Sequence, residues 1–494
     1  MTALPEALYT PAQVRELDHR AIEQQGIAGG VLMARAGRSA WRLLQRHYPH
    51  AKRLVVLCGG GNNGGDGYVI ARLAAEAGLR VDLCPLQDPA QLSGDAAIAA
   101  GQALECVDAV AFSSALAESA DVIVDALLGT GLDRPVKGEL ATWIHTVNQA
   151  SAPVLAVDVP SGLSAQTGQV MGAAIGADRT LTLIGLKQGL HTGDAANQVG
   201  VLEFDDLQVP DEVYDNLPPS AWRLTQTPSI SDLPIRARTS HKGHFGHVLI
   251  MGGDLGMGGA VRLAGEAAAR VGAGLVSVAT QPAHIGAVLA ARPELMAHGI
   301  QSASRSRAEL DALIGRANVM ALGPGLGQAD WGMGLYQAAL SAERPLVIDA
   351  DGLNQLASQP EFRGDWVLTP HPGEAARLLS TDVAGIQADR FAAADAIAHR
   401  YGGVVVLKGS GTIISDGESR YVASAGNPGM ASGGMGDVLT GVIAGLRAQG
   451  LSALNAARVG VQAHSAAADR AAAGGERGLL AGDVVAGLRS VINP

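Results

Sequence analysis

The chain contains 494 residues, and 65 of them are glycine, about twice the usual share of roughly 7%. Hydrophobic residues make up 47% and no Gly-x-y repeat is present, which excludes collagen and disorder. The net charge of -11 and the aromatic content of 3% argue against nucleic-acid and anionic-membrane partners. The glycines are therefore expected at tight turns and close backbone approaches of a folded protein.

Cysteine usage and the amino terminus indicate the compartment. The three cysteines, Cys58, Cys84 and Cys106, lack metal-ligand spacing, which predicts reduced thiols. The amino terminus carries charges and no apolar run, so no signal peptide is expected. These features predict a cytoplasmic protein.

Apolar patterning in the first half predicts alternating helices and strands. In chain order these are helical residues 12–48, a strand at 53–58, a glycine loop at 59–67, a helix from about 68 to 77, and strands at 79–84, 122–125 and 154–159. This alternation is typical of a mostly parallel sheet with helices on both faces. Ligands of such sheets bind at the carboxyl ends of the strands.

Residues 205–240 interrupt this alternation. Five prolines fall there with little periodicity, which predicts a linker or a wrapping segment: Pro210, Pro218, Pro219, Pro228 and Pro234.

The second half restarts the same pattern, so two separate α/β domains are predicted. Its expected strands are 247–251, 274–278, 319–322, 346–349, 366–369 and 404–407, with helices at 260–271 and 438–447.

The loop from Gly59 to Gly64 matches G-x-G-x-x-G between a strand and a helix, and Asp82 lies where a ribose-binding acid would fall. A Rossmann oxidoreductase is therefore one hypothesis. Asp66 opposes it, because a carboxylate at a helix start repels pyrophosphate. Asp66 could instead cap the helix, and Asn62 and Asn63 suit sugar hydroxyls or a hard monovalent cation.

Asp125 and Asp158 stand at the ends of apolar strands, where a carboxylate is costly unless it is solvated, paired or functional. In Asp158-Val-Pro-Ser-Gly, proline and glycine fix the turn that directs the carboxylate. Asp158 is therefore a candidate general acid or base, with a structural carboxylate as the alternative.

The strongest single signal is Gly433-Gly-Met-Gly-Asp437 at a helix start. Converging backbone N–H groups there form an anion hole, and Asp437 can take a proton from a hydroxyl that attacks a phosphoryl group. Lys408 can meet nucleotide phosphates or be a solvated lysine, and His371 can donate to substrate or be a loop histidine. No Walker motif, zinc spacing or nucleophile elbow is present.

These motifs resemble a known family along almost the whole chain. Asn62–Gly67, Gly129–Pro135 and Asp158–Gly162 resemble the NAD(P)H-hydrate epimerase (YjeF N-terminal) domain. The remaining motifs, Gly323–Gly327, His371–Glu374, Lys408–Thr412 and Asn427–Asp437, resemble the NAD(P)H-hydrate dehydratase domain. The resemblance implies a Rossmann-like three-layer α/β/α domain over 1–222 and a ribokinase-like α/β/α domain over 223–494.

The resemblance also implies residue roles in the first domain. Hydrated NADH and NADPH carry a hydroxyl at C6 of the nicotinamide ring, and this domain interconverts the R and S epimers. Asp158 is the expected acid/base group, and a potassium ion is expected on Asn63, Asp125 and Ser161. The substrate is expected on Asn62, Asn63, Gly64, Gly65, Asp66, Gly129, Thr130, Gly131, Leu132, Asp133, Arg134, Pro135 and Asp158.

The second domain is expected to dehydrate the S epimer at the expense of ADP, giving AMP and phosphate. Asp437 is the expected base and Mg²⁺ accompanies the nucleotide. The hydrate is expected on Ala260, Gly325, His371 and Asp437. The nucleotide is expected on Lys408, Gly409, Ser410, Gly411, Thr412 and Gly436.

The expected partners are small molecules only, with no nucleic acid and no membrane, and a homo-oligomer is expected. Two alternatives remain open at this point. One is a ribokinase-like kinase of a small alcohol or vitamin precursor fused to a binding module. The other gives the first half a ligand-sensing or interaction role without catalysis.

Overall fold

The computed structural model describes residues 4–225, 233 and 235–493. The chain divides into two units, Met1–Trp222 and Arg223–Pro494. Among the residues described, no helix combines the length and apolar character needed to cross a bilayer.

The first unit alternates helices and strands as predicted. Its elements are β1 (Ala7–Leu8), α1 (Pro11–His19), α2 (Gly29–His47), β2 (Arg53–Cys58), α3 (Asn62–Glu76), β3 (Arg80–Pro85), α4 (Gly94–Leu104), α5 (Ser114–Ser119), β4 (Val122–Ala126), α6 (Gly138–Gln149), β5 (Val154–Val157), β6 (Arg179–Leu183), α7 (Ala195–Gln198) and β7 (Val201–Asp205). The boundary between the units falls within β8 (Ala221–Leu224).

Six strands of this unit form a parallel sheet in the order β3-β2-β4-β5-β6-β7. Alternate residues of β2 point to opposite faces, as strand geometry requires. Leu54 and Val56 pack with α1 to α4, whereas Val55 and Leu57 pack with α5 and α6. The predicted parallel sheet with helices on both faces is confirmed.

The glycine loop is shorter than predicted, because α3 begins at Asn62 rather than near residue 68. The glycines in the first turns of α3 permit close packing against neighbouring backbone and side chains. A Cβ on Gly64 would lie 2.0 Å from the carbonyl oxygen of Gly59, and one on Gly67 would lie 2.7 Å from Cys58 Sγ. The N-cap is Gly61, so the expectation that Asp66 caps this helix is wrong.

The predicted helical stretch 12–48 is interrupted. After α1 comes a π-helical turn, Arg20–Gln24, and α2 starts only at Gly29. The part of 205–240 that belongs to the first unit packs along it: Arg35 donates to the carbonyls of Leu207 and Gln208, and the Tyr214 hydroxyl donates to that of Ile184. Residues 226–232 and 234 of this predicted linker, with Pro228 and Pro234, lie outside the described residues.

The second unit contains the remaining elements. They are β9 (His247–Met251), α8 (Gly258–Arg270), β10 (Leu275–Thr280), α9 (Ile285–Ala291), β11 (Met296–Gly299), α10 (Arg307–Arg316), β12 (Val319–Leu322), α11 (Asp330–Leu340), β13 (Leu346–Ile348), α12 (Ala350–Ser358), β14 (Trp366–Leu368), α13 (Pro372–Leu379), α14 (Val383–Ala388), α15 (Arg390–Tyr401), β15 (Val404–Leu407), β16 (Ile413–Ser415), β17 (Arg420–Ala423), α16 (Met435–Ala448), α17 (Ala453–Ala471) and α18 (Ala481–Val491).

The strands of the second unit lie in the order β17-β16-β15-β14-β13-β12-β9-β10-β11. The run from β15 to β11 is parallel, and β16 and β17 add antiparallel strands. Helices α8, α16, α17 and α18 pack against one face. The close approach of α16 to α8 needs Gly441, whose Cβ would lie 2.0 Å from the carbonyl oxygen of Ala264.

Candidate functional site

A cavity of about 450 Å³ lies at the carboxyl ends of the strands of the first unit. Its lining includes eight residues that the sequence predicts for the substrate: Asn62, Asn63, Asp66, Gly129, Thr130, Gly131, Leu132 and Asp158. The other five, Gly64, Gly65, Asp133, Arg134 and Pro135, are not among the lining residues. Gly64 and Gly65 are helical, and a Cβ on Gly65 would lie 2.5 Å from the Met33 side chain.

Asp158 is held by the backbone on one side and by a lysine on the other. Its φ of 67° is in the left-handed region, which is uncommon for a non-glycine residue. Its carboxylate accepts from the N–H of Leu183 at 3.3 Å and forms an ion pair with Lys187. Lys187 is fully buried and also donates to the Leu183 carbonyl at 2.8 Å. The sequence does not assign Lys187 a role, although a lysine within Leu183-Ile-Gly-Leu-Lys187 is unusual in so apolar a segment.

Two further carboxyl groups line the same cavity. Asp66 is 8% exposed, and burial together with the nearby Asp158 and Asp18 holds its pKa well above the usual range. Burial also raises the pKa of Asp18 to about 6, although Lys187 opposes that shift. Asp18 belongs to α1, far from the glycine motifs in sequence, and for this reason the motifs do not reveal it.

Asn63, Asp125 and Ser161, the predicted potassium ligands, meet around the backbone of Leu128. Asn63 Nδ2 donates to the Leu128 carbonyl at 2.9 Å, and the Leu128 N–H donates to Ser161 Oγ at 2.8 Å. The Ser161 hydroxyl in turn donates to Asp125 at 2.6 Å. Burial raises the pKa of Asp125 to about 6.

One atom of this group tests whether a cation fits. Asn63 Oδ1 is buried and has no hydrogen-bond partner within the described part of the chain. A buried acceptor without a donor is costly. Together with a buried carboxylate and a hydroxyl, it forms the all-oxygen donor set that hard cations prefer. The residues therefore fit a monovalent cation.

The second site lies at the strand ends of the other unit, around the start of α16. Gly434 is its N-cap, with a left-handed φ of 90°, and Asp437 stands in the first turn. Asp349, which follows β13, accepts from Lys408 Nζ at 2.5 Å and from the Thr440 hydroxyl at 2.9 Å. Asp349 and Thr440 are absent from the sequence prediction.

Asp437 is electrostatically distinct from its neighbours. Burial, and then the nearby Asp349, raise the pKa of Asp437 to about 7, and Lys408 offsets only part of this. Lys408 instead forms a direct ion pair with Asp349. Asp437 therefore changes between its acid and base forms close to neutral pH.

The loop from Lys408 to Thr412 is held in place by hydrogen bonds to its backbone carbonyls. Arg390 is fully buried and donates to the carbonyls of Leu407 and Lys408 at 3.2 and 3.3 Å. The Thr412 hydroxyl donates to the Gly409 carbonyl at 3.0 Å. Ser410 and Gly411 lie between these anchored points, so the loop that the sequence predicts for the nucleotide has a fixed shape.

Besides Asp437, three residues are predicted for the hydrate, and they fall into two places. A Cβ on Gly325 would lie 3.3 Å from Ala260 Cβ, so these two are neighbours. His371 caps α13, accepts from the Gly373 N–H at 3.0 Å, and lies 3.3 Å from Glu374. Glu374 lies 3.8 Å from Lys408 Nζ, which links His371 to the Asp349–Lys408 pair.

Comparisons with known proteins cover both units. The family model described as YjeF-related protein N-terminus matches residues 29–189, and the model described as NAD(P)H-hydrate dehydratase matches residues 248–488. The chain is 49% identical over 491 residues to the bifunctional NAD(P)H-hydrate repair enzyme Nnr of Coxiella burnetii, covering 99% of each. It is 44% identical over 500 residues to that of Escherichia coli, covering 100% of this chain and 95% of the relative.

A solved structure supports the fold. A ribokinase-like superfamily protein from Enterococcus faecalis is 28% identical, with a TM-score of 0.51. The match covers 55% of this chain and 95% of that structure.

Proposed function

The chain belongs to the family of bifunctional NAD(P)H-hydrate repair enzymes. From that membership we propose which of its two units carries each activity. The enzyme has an epimerase and a dehydratase activity toward hydrated NADH and NADPH. We assign epimerisation to residues 1–222 and dehydration of the S epimer to 223–494. The family models support this, because each matches within one of these ranges.

For the first unit, we propose that the 450 Å³ cavity holds the hydrated nicotinamide, with Asp158 as the acid/base group. The ion pair with Lys187 and the hydrogen bond from the Leu183 N–H fix the direction of the Asp158 carboxyl group, which suits an acid/base residue. A potassium ion would be held by Asn63, Asp125 and Ser161. When bound, it would supply a fixed positive charge that orders the loop around Leu128.

For the second unit, the observation that carries the proposal is Asp437, with a pKa of about 7 beside the start of α16. Asp437 takes the proton of the C6 hydroxyl while the hydroxyl oxygen attacks the β-phosphorus of ADP. The bond between that phosphorus and the oxygen of AMP breaks. Phosphate then leaves from C6 as a proton is lost from C5, which restores the C5–C6 double bond. The backbone N–H groups at the start of α16 stabilise the transferring group.

The nucleotide is placed on Lys408, Gly409, Ser410, Gly411, Thr412 and Gly436. Within the described residues no group of three or more His, Cys, Asp or Glu side chains could hold a metal ion. Mg²⁺ would therefore bind mainly through ADP phosphates, as is usual for this cation. Ala260, Gly325 and His371 are placed against the hydrate.

We also propose a homo-oligomer in a reducing, cytoplasmic compartment. The three cysteines are free, which supports the compartment. Light scattering of the purified chain measures the mass in solution; a monomer at all concentrations would contradict the oligomer.

The test uses purified R hydrate with ADP and Mg²⁺. We expect the reduced-nicotinamide absorbance to return, with AMP and phosphate released in equal amounts. A kinase of a small alcohol would instead leave the absorbance unchanged. If only the S hydrate reacts, the first unit has no epimerase activity.

A further inference from the structure

Carboxyl groups outnumber cationic groups in the lining of the first unit's cavity, which includes Asp95 and the exposed Arg15. Asp18, Asp66 and Asp158 line it together with Lys187. The ion pair of Lys187 is with Asp158. Burial disfavours a carboxylate without an ion-pair partner, so at least one of Asp18 and Asp66 is expected to carry a proton.

Asp66 is the group best placed to carry that proton. It is 92% buried, it lines the cavity, and its carboxyl group has no protein hydrogen-bond partner among the described residues. Asp158, by contrast, is already an acceptor from Leu183 and Lys187. Burial and the neighbouring carboxylates Asp158 and Asp18 raise the pKa of Asp66 well above its usual range.

Charged and titratable groups line the cavity beside Asp66 or interact with it electrostatically. They are Asp18 and Arg15 from α1, Asp95 from α4, Asp158 after β5, Lys187 after β6 and the Cys58 thiol of β2. Lys187 is the main group favouring the charged form, and it is engaged by Asp158. The arrangement therefore pairs a neutral carboxyl group with a fixed carboxylate in one cavity.

We infer that Asp66 is a second catalytic residue of the epimerase, the general acid that donates a proton to the departing C6 hydroxyl. This inference rests on the proposed placement of the hydrate in the cavity. The O–H bond of Asp66 breaks, the C6–O bond breaks and water is released, leaving an N1=C6 iminium ion and the Asp66 carboxylate. Water then adds to the opposite face of C6 and loses a proton to Asp158, and proton exchange with solvent returns Asp158 to its carboxylate and Asp66 to its neutral form, so no oxidant or further reactant is needed.

The charges of the cavity suit this step. The iminium ion is a cation, and the carboxylates of Asp158 and Asp18 lie on the same walls. A fixed negative environment stabilises a positive charge that develops in the transition state. A neutral Asp66 supplies the proton without adding a further carboxylate before the reaction.

The first measurement compares full-length variants on the R hydrate. Asp66→Asn keeps the shape but has no acidic proton, and epimerisation should fall at least about 100-fold in kcat, with KM within about 3-fold. Dehydration of the S hydrate by the other unit should be unchanged, which confirms an intact chain. Glu76→Gln, on the exposed end of the same helix and paired with Arg72, is the control and should match the parent.

The second measurement uses the unmutated chain in ¹⁸O-labelled water, and it decides the question even if Asp66→Asn unfolds the first unit. Cleavage of the C6–O bond predicts ¹⁸O in the epimerised product above the enzyme-free background. No label above background, or an Asp66→Asn variant within 3-fold of the parent, overturns the role of Asp66. No interconversion by the parent chain would overturn the epimerase assignment itself, and this inference with it.

Discussion

Both units pair a strand-end aspartate with a lysine, but the paired aspartate is the proposed acid/base group only in the first unit. In the first unit Lys187 contacts Asp158 directly, and the aspartate is ion-paired. In the second, Lys408 contacts Asp349 instead, and Asp437 is left with a pKa of about 7. The same residue types therefore produce a fixed carboxylate in one site and a titrating carboxylate in the other.

The difference matches the proposed chemistries. An epimerase must give back every proton it takes, so a paired carboxylate can work with a neutral partner such as Asp66. A phosphoryl-transfer base must accept a proton at neutral pH while a nucleophile attacks, which favours a group that titrates there. Which carboxylate the lysine contacts therefore determines the role of the aspartate.

The largest expected effect comes from removing the titrating carboxylate. Asp437→Asn should lower the rate of ADP-dependent dehydration about 100- to 10,000-fold, because no base remains for the C6 hydroxyl. Interconversion of the epimers should be unaffected. Dehydration is followed by the reduced-nicotinamide absorbance, and a loss of less than about 10-fold would show that another group is the base.

The next effect concerns the ion pair in the first unit. Lys187→Met leaves Asp158 without its cation and should destabilise this unit by about 3 kcal/mol, since removing one partner of a buried pair is costly. Denaturant unfolding measures the free energy, with exposed Lys52→Met as the control. In the double variant with Asp158→Asn the loss should be smaller than the sum of the single losses. Additive losses would show that the contact is not energetically coupled.

Some of this structure could be predicted from sequence. The strands at 53–58, 247–251, 319–322 and 404–407 have the predicted limits, because each is a continuous apolar run bounded by polar or glycine residues. The start of α3 could not be predicted so well, because its glycines resemble a loop and their packing partners are distant in sequence.

The residues of the candidate sites could also be predicted only in part. Motifs identified Asp158 and Asp437, which sit beside the glycines and prolines that fix local turns. Asp18, Lys187 and Asp349 could not be identified in this way, because their contacts form only when separate strands and helices come together. The electrostatic contrast between the sites depends on those contacts.

A glycine substitution in α3 tests whether the glycines there are needed for close packing. Gly64→Ala should destabilise the first unit by about 2 kcal/mol, because the added methyl group meets the backbone carbonyl of Gly59. Gly61→Ala, where a Cβ has no neighbour within 4 Å, is the matched control. Equal unfolding free energies for the two variants would be inconsistent with a packing role.

The smallest effect is a shift in pH dependence. As the pH falls below about 7, Asp437 is protonated and dehydration should slow. Asp349→Asn removes a negative neighbour and frees Lys408, so the pKa of Asp437 should fall and the acid limb should move down by roughly one pH unit. The pH profile of kcat measures this. An acid limb that does not move would mean that Asp437 is not the titrating group.

Each unit is proposed to contain a complete site of its own, and a mixture of two variants checks this. Asp158→Asn should lack epimerisation and Asp437→Asn should lack dehydration, so neither alone should convert R hydrate to reduced nicotinamide at the parent rate. An equimolar mixture with ADP should restore the conversion, because the S hydrate made by one variant is the substrate of the other. No recovery in the mixture, although each variant retains its remaining activity, would contradict the claim.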